Sequence, residues 1–415
     1  MKKLIYIFVS FFDIIYCMEA LIMKYSGTIS RGVKAPIIRK GDNLVNIINE
    51  SLLNLSIHDN IELNDRDVIC ITESVVAISQ GNFATIDQIA KDVRNKFDDE
   101  VVGLVFPILS RNRFSMILKG ITQGVKKLVI QLSYPADEVG NRLISQDELM
   151  ASKVNPYSDT FTSEEFKRIF KDTIHEFTGI DYLDYYQKIG GNNCQIILAN
   201  NPCEILKYTD QVIVANIHER KRTKDLLLRN GGKKVIGLDE ILTTSIDGSG
   251  FNPDFGLLGS NLAKDNSVKM FPRDCEKLVY EIQDRLKETF NKNIEVMIYG
   301  DGAFKDPRGG IWELADPVVS PGFTKGLIGT PNELKLKYIA NTKLHDINGK
   351  DLEEDMKKLI KQKDKNLVGK IESQGTTPRQ ITDLLGSLAD LTSGSGDKGT
   401  PFVLIQNYFN NYASE

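Results

Sequence analysis

A short segment in the second half of the chain carries the residues best suited to phosphate and metal chemistry. Residues 296–307 read VMIYGDGAFKDP, an apolar run typical of a buried strand that ends in glycines and acids. Glycine lets the backbone approach a ligand closely, and carboxylates bind hard cations such as magnesium. Open α/β sheets commonly bind ligands where their strands end. The segment predicts a metal–phosphate site at Asp301, with a tight turn bearing solvated acids as the alternative.

A second glycine-rich run, residues 249–261, contains a second carboxylate that could bind the same metal. Asp254 lies within it, and we predict that Asp254 and Asp301 are the catalytic acids and the metal ligands. Asp306 and Glu313 are second-rank candidates for the same role. The predicted metal is magnesium or manganese.

Polar residues at the end of that run could contact phosphate or ribose. Ser260 offers a hydroxyl and Asn261 an amide, although both could instead cap a helix that begins at Leu262. Arg111 and Arg113 could steer an anionic substrate, or they form a basic turn. Asp316, which precedes a proline, is expected to cap a turn.

Glycine turns follow predicted strands at three places and could bind phosphate through backbone amides. They lie at 79–82, 249–261 and 300–302. The sequence contains neither a GxxxxGK[ST] loop nor a dinucleotide-binding fingerprint, so P-loop and Rossmann nucleotide sites are excluded.

Composition restricts the class of protein. The 415 residues are 41% hydrophobic and 26% charged, with a formal net charge of −4, so a global basic field for nucleic acid is absent.

Five scattered cysteines form no CxxC pair, which favours a reducing compartment, and we expect a cytoplasmic protein. Residues 1–23 resemble a poor signal peptide and are interpreted as a leader or a mis-called start. No later segment is apolar enough to span a membrane.

Hydrophobic periodicity predicts an α/β (α+β) fold, with mixed sheets and flanking helices. Strands and helices alternate from about residue 28 to 132, and Asp42 or Asn43 is expected to cap the first helix. Residues 159–177 are acidic and amphipathic, which predicts a helical region. The block from about 136 to 240 is βαβ-like and could be an inserted subdomain.

Taken in order, several blocks resemble the coenzyme F420:L-glutamate ligase family (F420-0 gamma-glutamyl ligase). The blocks are GDNL at 41–44, DVICIT at 67–72 with the turn at 79–81, GSN at 259–261, GDG at 300–302 and the closing segment 374–405. The resemblance divides the chain into a ligase-like catalytic domain, 24–135 and 236–410, and an inserted α/β subdomain, 136–235.

The resemblance also implies a chemistry and a set of site residues. GTP, or another nucleoside triphosphate, phosphorylates a carboxylate, and the amine of L-glutamate or a similar amine attacks the acyl phosphate to form an amide. Gln374 would join Asp254 and Asp301 on the metal. The residues implied in nucleotide binding are Gly41, Asp42, Ser79, Gly81, Ser260, Asn261, Gln374 and Thr377.

The chain departs from the family pattern inside these motifs. Ser74 and Ile78 stand where the family's first turn has lysines, so those phosphate cations are missing. Leu258 occupies the position of a metal aspartate, with Asp254 one turn earlier, and Gly302 replaces a metal-binding threonine.

The prediction is therefore a metal- and nucleotide-dependent ligase that joins an amine to a carboxylate. Two alternatives remain open: a nucleotide-binding regulatory protein that has lost catalysis, and a metal-dependent phosphohydrolase. The expected partners are a nucleotide, L-glutamate or another amine, a carboxylate acceptor and, as one option, a second copy of the chain in a homodimer. Nucleic acid and membrane are not expected partners.

Overall fold

The computed structural model describes residues 26–97, 101–176, 178–264, 266–300, 316–373, 379–393 and 397–414. Within these ranges the chain forms mixed sheets with flanking helices, which confirms the predicted fold class. The predicted leader, residues 1–23, lies outside the described residues.

Side-chain caps start five of the described helices, at Asn43, Thr85, Ser145, Thr162 and Asp181. Asn43 Oδ1 accepts the Asn46 amide and caps the first helix, as predicted. In the described residues no helix is both long and apolar enough to cross a bilayer. The helices are α1 (Leu44–His58), α2 (Glu73–Ser79), α3 (Ile86–Lys96), α4 (Ser115–Gly124), α5 (Gln146–Ala151), α6 (Ser163–Ile169), α7 (Tyr182–Gly190), α8 (Arg220–Arg229), α9 (Cys275–Phe290), α10 (Leu336–Thr342), α11 (Gly349–Gln362) and α12 (Ile381–Ser393).

A five-stranded sheet contains the two buried runs that precede the predicted site. Its order is β1 (Ile29–Val33), β14 (Phe402–Gln406), β2 (Val68–Thr72), β12 (Glu295–Tyr299) and β13 (Gly322–Phe323). Strands β2 and β12 are parallel neighbours, with Thr72 opposite Tyr299, whereas the other pairs are antiparallel. Glu73 and Gly300 therefore leave the sheet side by side at one edge.

Helices cover both faces of this sheet. Ile71 and Ile298 pack in the layer formed with α1 and α9, while Cys70 and Met297 face α12. A strand that is covered on both faces has no polar side. This explains why β2 and β12 read as continuous apolar runs.

A six-stranded sheet occupies the middle of the chain. Its order is β6 (Phe161–Thr162), β7 (Cys194–Leu198), β5 (Lys127–Leu132), β4 (Val101–Val105), β8 (Gln211–Val214) and β9 (Lys234–Gly237). All neighbours are parallel except β6 and β7. The chain proceeds from β4 through β5 to β7 and then returns beside β4 as β8, which makes the gap between β4 and β8 a topological switch point.

This sheet crosses the predicted boundary between the catalytic domain and the inserted subdomain. β7 pairs with β5, and β8 pairs with β4, so strands from 136–235 share one sheet with strands from 101–132. The predicted division therefore cuts through hydrogen-bonded neighbours, and the independence of the 136–235 segment stays a prediction.

A small antiparallel sheet connects the two larger ones. Its order is β10 (Asn261–Lys264), β11 (Ser267–Lys269) and β3 (Phe83–Thr85). Asn261 is paired with Lys269, and Lys269 is paired with Phe83 on its other side. Asn261 therefore lies in a strand, not at the start of a helix.

The helical region predicted for 159–177 is mostly wrong. Only α6 forms there, and it follows the short strand β6. Thr162 and Glu165 make a capping box that starts α6, but the chain leaves the helical conformation at Phe170. Beyond it, Asp172 Oδ1 accepts the Ile174 amide, a local bond that competes with helix formation.

A buried carboxylate organises the loops that leave β4 and β5. Asp137 Oδ2 accepts the Leu109 amide at 2.7 Å, and Asp137 Oδ1 accepts the Asn141 amide at 2.8 Å. Burial raises the pKa of the Asp137 carboxyl to about 6. The hydrogen bonds from the Asn141 side chain and from these amides lower the pKa, but by less than burial raises it. The folded protein therefore binds this proton more tightly than the unfolded chain does.

Folding stability should consequently fall as the pH rises through the pKa of Asp137. A pKa raised from 3.8 to about 6 corresponds to a total loss of about 3 kcal/mol in the free energy of unfolding, most of it between pH 4 and pH 7. Asp137→Asn removes this titration, so urea unfolding of the variant should lack that part of the pH dependence. Parallel stability curves for the two proteins across this range would contradict the assignment.

Candidate functional site

Four charged side chains from distant parts of the sequence meet at the carboxyl ends of β2 and β12. We call Glu73, Arg113, Lys269 and Asp316 the strand-end charge cluster. Lys269 Nζ lies 3.3 Å from Glu73 Oε1, and Arg113 Nη1 donates to Asp316 Oδ1 at 2.8 Å. The relative exposure of Glu73, Lys269 and Asp316 is 6%, 9% and 5%. Such burial of charge is uncommon and marks a candidate functional site.

Each member of the cluster is held by a different element. Glu73 opens α2 directly after β2, and Lys269 is the last residue of β11. Arg113 lies in the segment between β4 and α4, which is attached to β10 where the Leu262 amide donates to Asn112 O at 2.7 Å. The three sheets therefore converge on the cluster.

Gly300 brings the backbone of β12 against this cluster. A Cβ atom at this position would collide with Asp316 Oδ2, so any other residue would displace that carboxylate. The Gly300 amide donates to Val319 O at 2.9 Å, which fixes the strand end. Asp301, the predicted metal ligand, follows immediately in the sequence but lies outside the described residues.

The surroundings of Glu73 act on its pKa in opposite directions. Burial raises the pKa of the Glu73 carboxyl; the Lys269 ammonium acts in the opposite direction, and the Asp316 carboxylate raises it further. Glu73 Oε2 is buried and accepts no hydrogen bond from the described residues. A buried oxygen without a donor is unfavourable, so this atom can accept a hydrogen bond from water or interact with a bound group.

Ser260 and Asn261, the predicted phosphate or ribose contacts, lie close to this cluster. Ser260 is 2% exposed, and its Oγ has no hydrogen-bond partner among the described residues. It lines a cavity of about 20 Å³ together with Arg113, at the carboxyl ends of β4 and β8. Asn261 is the cross-strand partner of Lys269.

Three other predicted nucleotide contacts meet in a separate cleft of about 380 Å³, which we call the glycine cleft. Gly41, Asp42 and Ser79 line it, and the Gly41 amide donates to Ser79 O at 2.8 Å. Gly81 has a φ of +61° and lies under the Lys40 side chain, where a Cβ atom would not fit. The structure thus brings the first two sequence blocks together.

Asp254 is not part of either group in the described structure. Its side chain is exposed, while its backbone amide donates to Asn252 Oδ1 at 3.0 Å in a turn. None of its carboxylate atoms forms a hydrogen bond or ion pair with another described residue. The described ranges also contain no group of three His, Cys, Asp or Glu side chains that could hold a metal.

Several predicted residues lie outside the described ranges. They are Asp301, Asp306, Glu313, Gln374 and Thr377. Their proposed roles therefore stay predictions.

Glu73 and Lys269 had no predicted role, although the structure places both at the centre of the cluster. Each carries one sequence signal: Glu73 directly follows a buried strand, and Lys269 lies between the apolar residues Val268 and Met270. Arg113 was a candidate for anion steering, and it does lie at this site. Asp316, expected to cap a turn, instead forms a buried ion pair.

Comparison with known proteins finds the same family that the ordered sequence blocks resemble. A model of the F420-0:gamma-glutamyl ligase family matches residues 32–407, a span that includes every member of the cluster and the glycine cleft. The match supports an enzyme of the ligase class. A search of curated proteins finds no match. The family match covers most of the chain, and the protein belongs to the F420-0:gamma-glutamyl ligase family.

Proposed function

We propose that the protein is a metal- and GTP-dependent ligase that joins the amine of L-glutamate to a carboxylate through an acyl phosphate. The observation that carries the proposal is the strand-end charge cluster, because it holds two cations and two buried acids at the strand ends beside Gly300. Phosphoryl transfer is catalysed mainly by positioning and by stabilisation of negative charge, and it needs no protein nucleophile.

The geometry supports a division of the nucleotide between two places. The glycine cleft lies at the Ser79 end of α2, and the charge cluster lies at its Glu73 end. A seven-residue helix is about 10 Å long. We propose that the nucleoside occupies the glycine cleft and that the phosphates extend along α2 to Lys269 and Arg113.

The residues at the strand ends are also chemically suited to a divalent cation. In the part of the chain that the structure describes, Glu73 Oε2 is a buried carboxylate oxygen without a donor, and oxygen ligands of this kind suit magnesium and manganese. We propose that Asp301 and Asp254 hold the metal, with Gln374 as a further ligand. When bound, the metal would neutralise charge on the transferred phosphoryl group.

In the proposed reaction, the acceptor carboxylate takes the terminal phosphoryl group of GTP, and GDP leaves. The amine nitrogen then bonds to the acyl carbon, the bond to phosphate breaks, and the amine proton is lost to the released phosphate or to water. Arg113 and Lys269 would stabilise the negative charge in both steps, and the buried position of the cluster would limit competing hydrolysis.

Mass spectrometry of the reaction products tests this function. The protein is incubated with F420-0, ¹⁵N-labelled L-glutamate, GTP and Mg²⁺, and the expected result is a glutamyl amide formed together with GDP and phosphate. Release of phosphate without amide, across a panel of amines and acceptors, would indicate a phosphohydrolase. Nucleotide binding without turnover in Mg²⁺ or Mn²⁺ would indicate a regulatory protein.

A further inference from the structure

The buried ammonium of Lys269 has an incomplete set of partners. Its Nζ donates to Ser74 Oγ at 2.8 Å and lies 3.3 Å from Glu73 Oε1. Lysine carries three N–H donors, and no third acceptor lies within hydrogen-bond distance among the described residues. A charged hydrogen bond is normally shorter, about 2.7–2.9 Å, so the bond to Glu73 is long.

The two cations of the cluster differ in how firmly they are held. Arg113 lies 2.8 Å from the Asp316 carboxylate, whereas Lys269 is paired with a carboxylate whose second oxygen has no donor among the described residues. Burial of an ion pair is favourable only when the geometry is good and the remaining atoms are satisfied. The Lys269–Glu73 pair meets neither condition, because its bond is long and Glu73 Oε2 has no donor among the described residues. Such an incomplete pair is typical of groups that bind a ligand.

The position of Lys269 identifies the chemistry of that ligand. β11 delivers the ammonium to the first residues of α2, at the strand end where Gly300 follows β12. An anion that approaches this strand end meets the ammonium. Ser260 precedes Asn261, the cross-strand partner of Lys269, and its buried hydroxyl has no partner among the described residues. A phosphate group carries the oxygen acceptors that the ammonium lacks among the described residues.

We propose that Lys269 binds the terminal phosphate of the nucleotide and that Glu73 is its counter-ion when no nucleotide is present. This inference rests on the proposed function, since it assigns a residue to that site. It also accounts for Ser74, which stands where the family's motif has a lysine: the cation reaches the same turn from β11 instead.

Calorimetric titration of GTP and GDP in the presence of Mg²⁺ tests the assignment. Lys269→Ala should weaken GTP binding by about 10- to 100-fold, the loss expected for one charge-assisted hydrogen bond. GDP binding should change much less, because GDP lacks the terminal phosphate. Lys264→Ala, an exposed lysine on neighbouring β10, is the matched control and should bind both nucleotides normally.

A relocated lysine distinguishes a phosphate contact from a structural role. In the double variant Ser74→Lys/Lys269→Ala, an ammonium returns to the same turn from residue 74, and GTP affinity should recover by at least about 10-fold, as expected for one restored charged hydrogen bond. The double variant also restores a partner for Glu73 if Lys269→Ala alone fails to fold, which its melting temperature would show.

The outcomes separate this inference from the function on which it rests. If the unmodified protein binds GTP and Lys269→Ala binds it equally well, the lysine assignment is wrong and the function stands. An equal loss of GTP and GDP affinity, or a folded double variant without recovery, also overturns it. If the unmodified protein binds no nucleotide with either metal, both proposals fail.

Discussion

Asp301→Asn should lower the rate of nucleotide-dependent amide formation by about 1,000-fold or more, which corresponds to about 4 kcal/mol of transition-state stabilisation. The substitution keeps the shape of the side chain but removes the charge that we propose binds the metal. Binding of Mn²⁺, followed by electron paramagnetic resonance, should weaken in parallel. Unchanged turnover in this variant would refute the assignment of Asp301.

Two further variants make the Asp301 result specific. Asp247→Asn applies the same chemical change to an exposed carboxylate that pairs with Lys91, and it should leave turnover unchanged. Asp254→Asn tests the second predicted ligand. If Mn²⁺ binding depends on Asp301 but not on Asp254, the second ligand must come from another residue, and Glu73 and Asp316 are the described acids at this strand end.

Arg113→Met should destabilise the protein by about 3 kcal/mol, because it leaves the buried Asp316 carboxylate without its guanidinium. The pair joins the segment before α4 to the strand end at Gly300, so amide formation should be lost as well. Chemical denaturation measures the stability change. A variant as stable as the unmodified protein would show that the pair does not hold these segments together.

A double-mutant cycle isolates the contribution of this pair. Asp316→Asn in the Arg113→Met background removes the buried charge, so the double variant should be more stable than the sum of the single changes predicts. Arg285→Met is the matched control: its partner is Glu288 on the surface, and the two side chains are 45% and 70% exposed. Its effect should stay within about 0.5 kcal/mol.

Local sequence patterns predicted the elements that support the site. β2 and β12 were recognisable because a strand buried on both faces is apolar throughout, and Asn43 was recognisable as a cap because its carbonyl can reach a helix amide. The region 159–177 was predicted poorly, since side-chain hydrogen bonds such as that of Asp172 end the helical pattern after one short helix.

The glycine turns were recognised as binding elements, but their grouping was not. Gly41 and Ser79 meet in one cleft, while Ser260 lies at the strand-end charge cluster. A turn pattern reports local backbone geometry and contains no information on which other turn will lie beside it.

Motif order and hydrophobic periodicity were enough to predict the family, the class of fold and the strand that leads to Asp301. The grouping of Glu73, Arg113, Lys269 and Asp316 into one site is visible only in three dimensions. Their contact depends on the parallel register of β2 with β12 and on the pairing of β11 with β3. Such pairings are set by packing between residues far apart in the chain, which local periodicity does not specify.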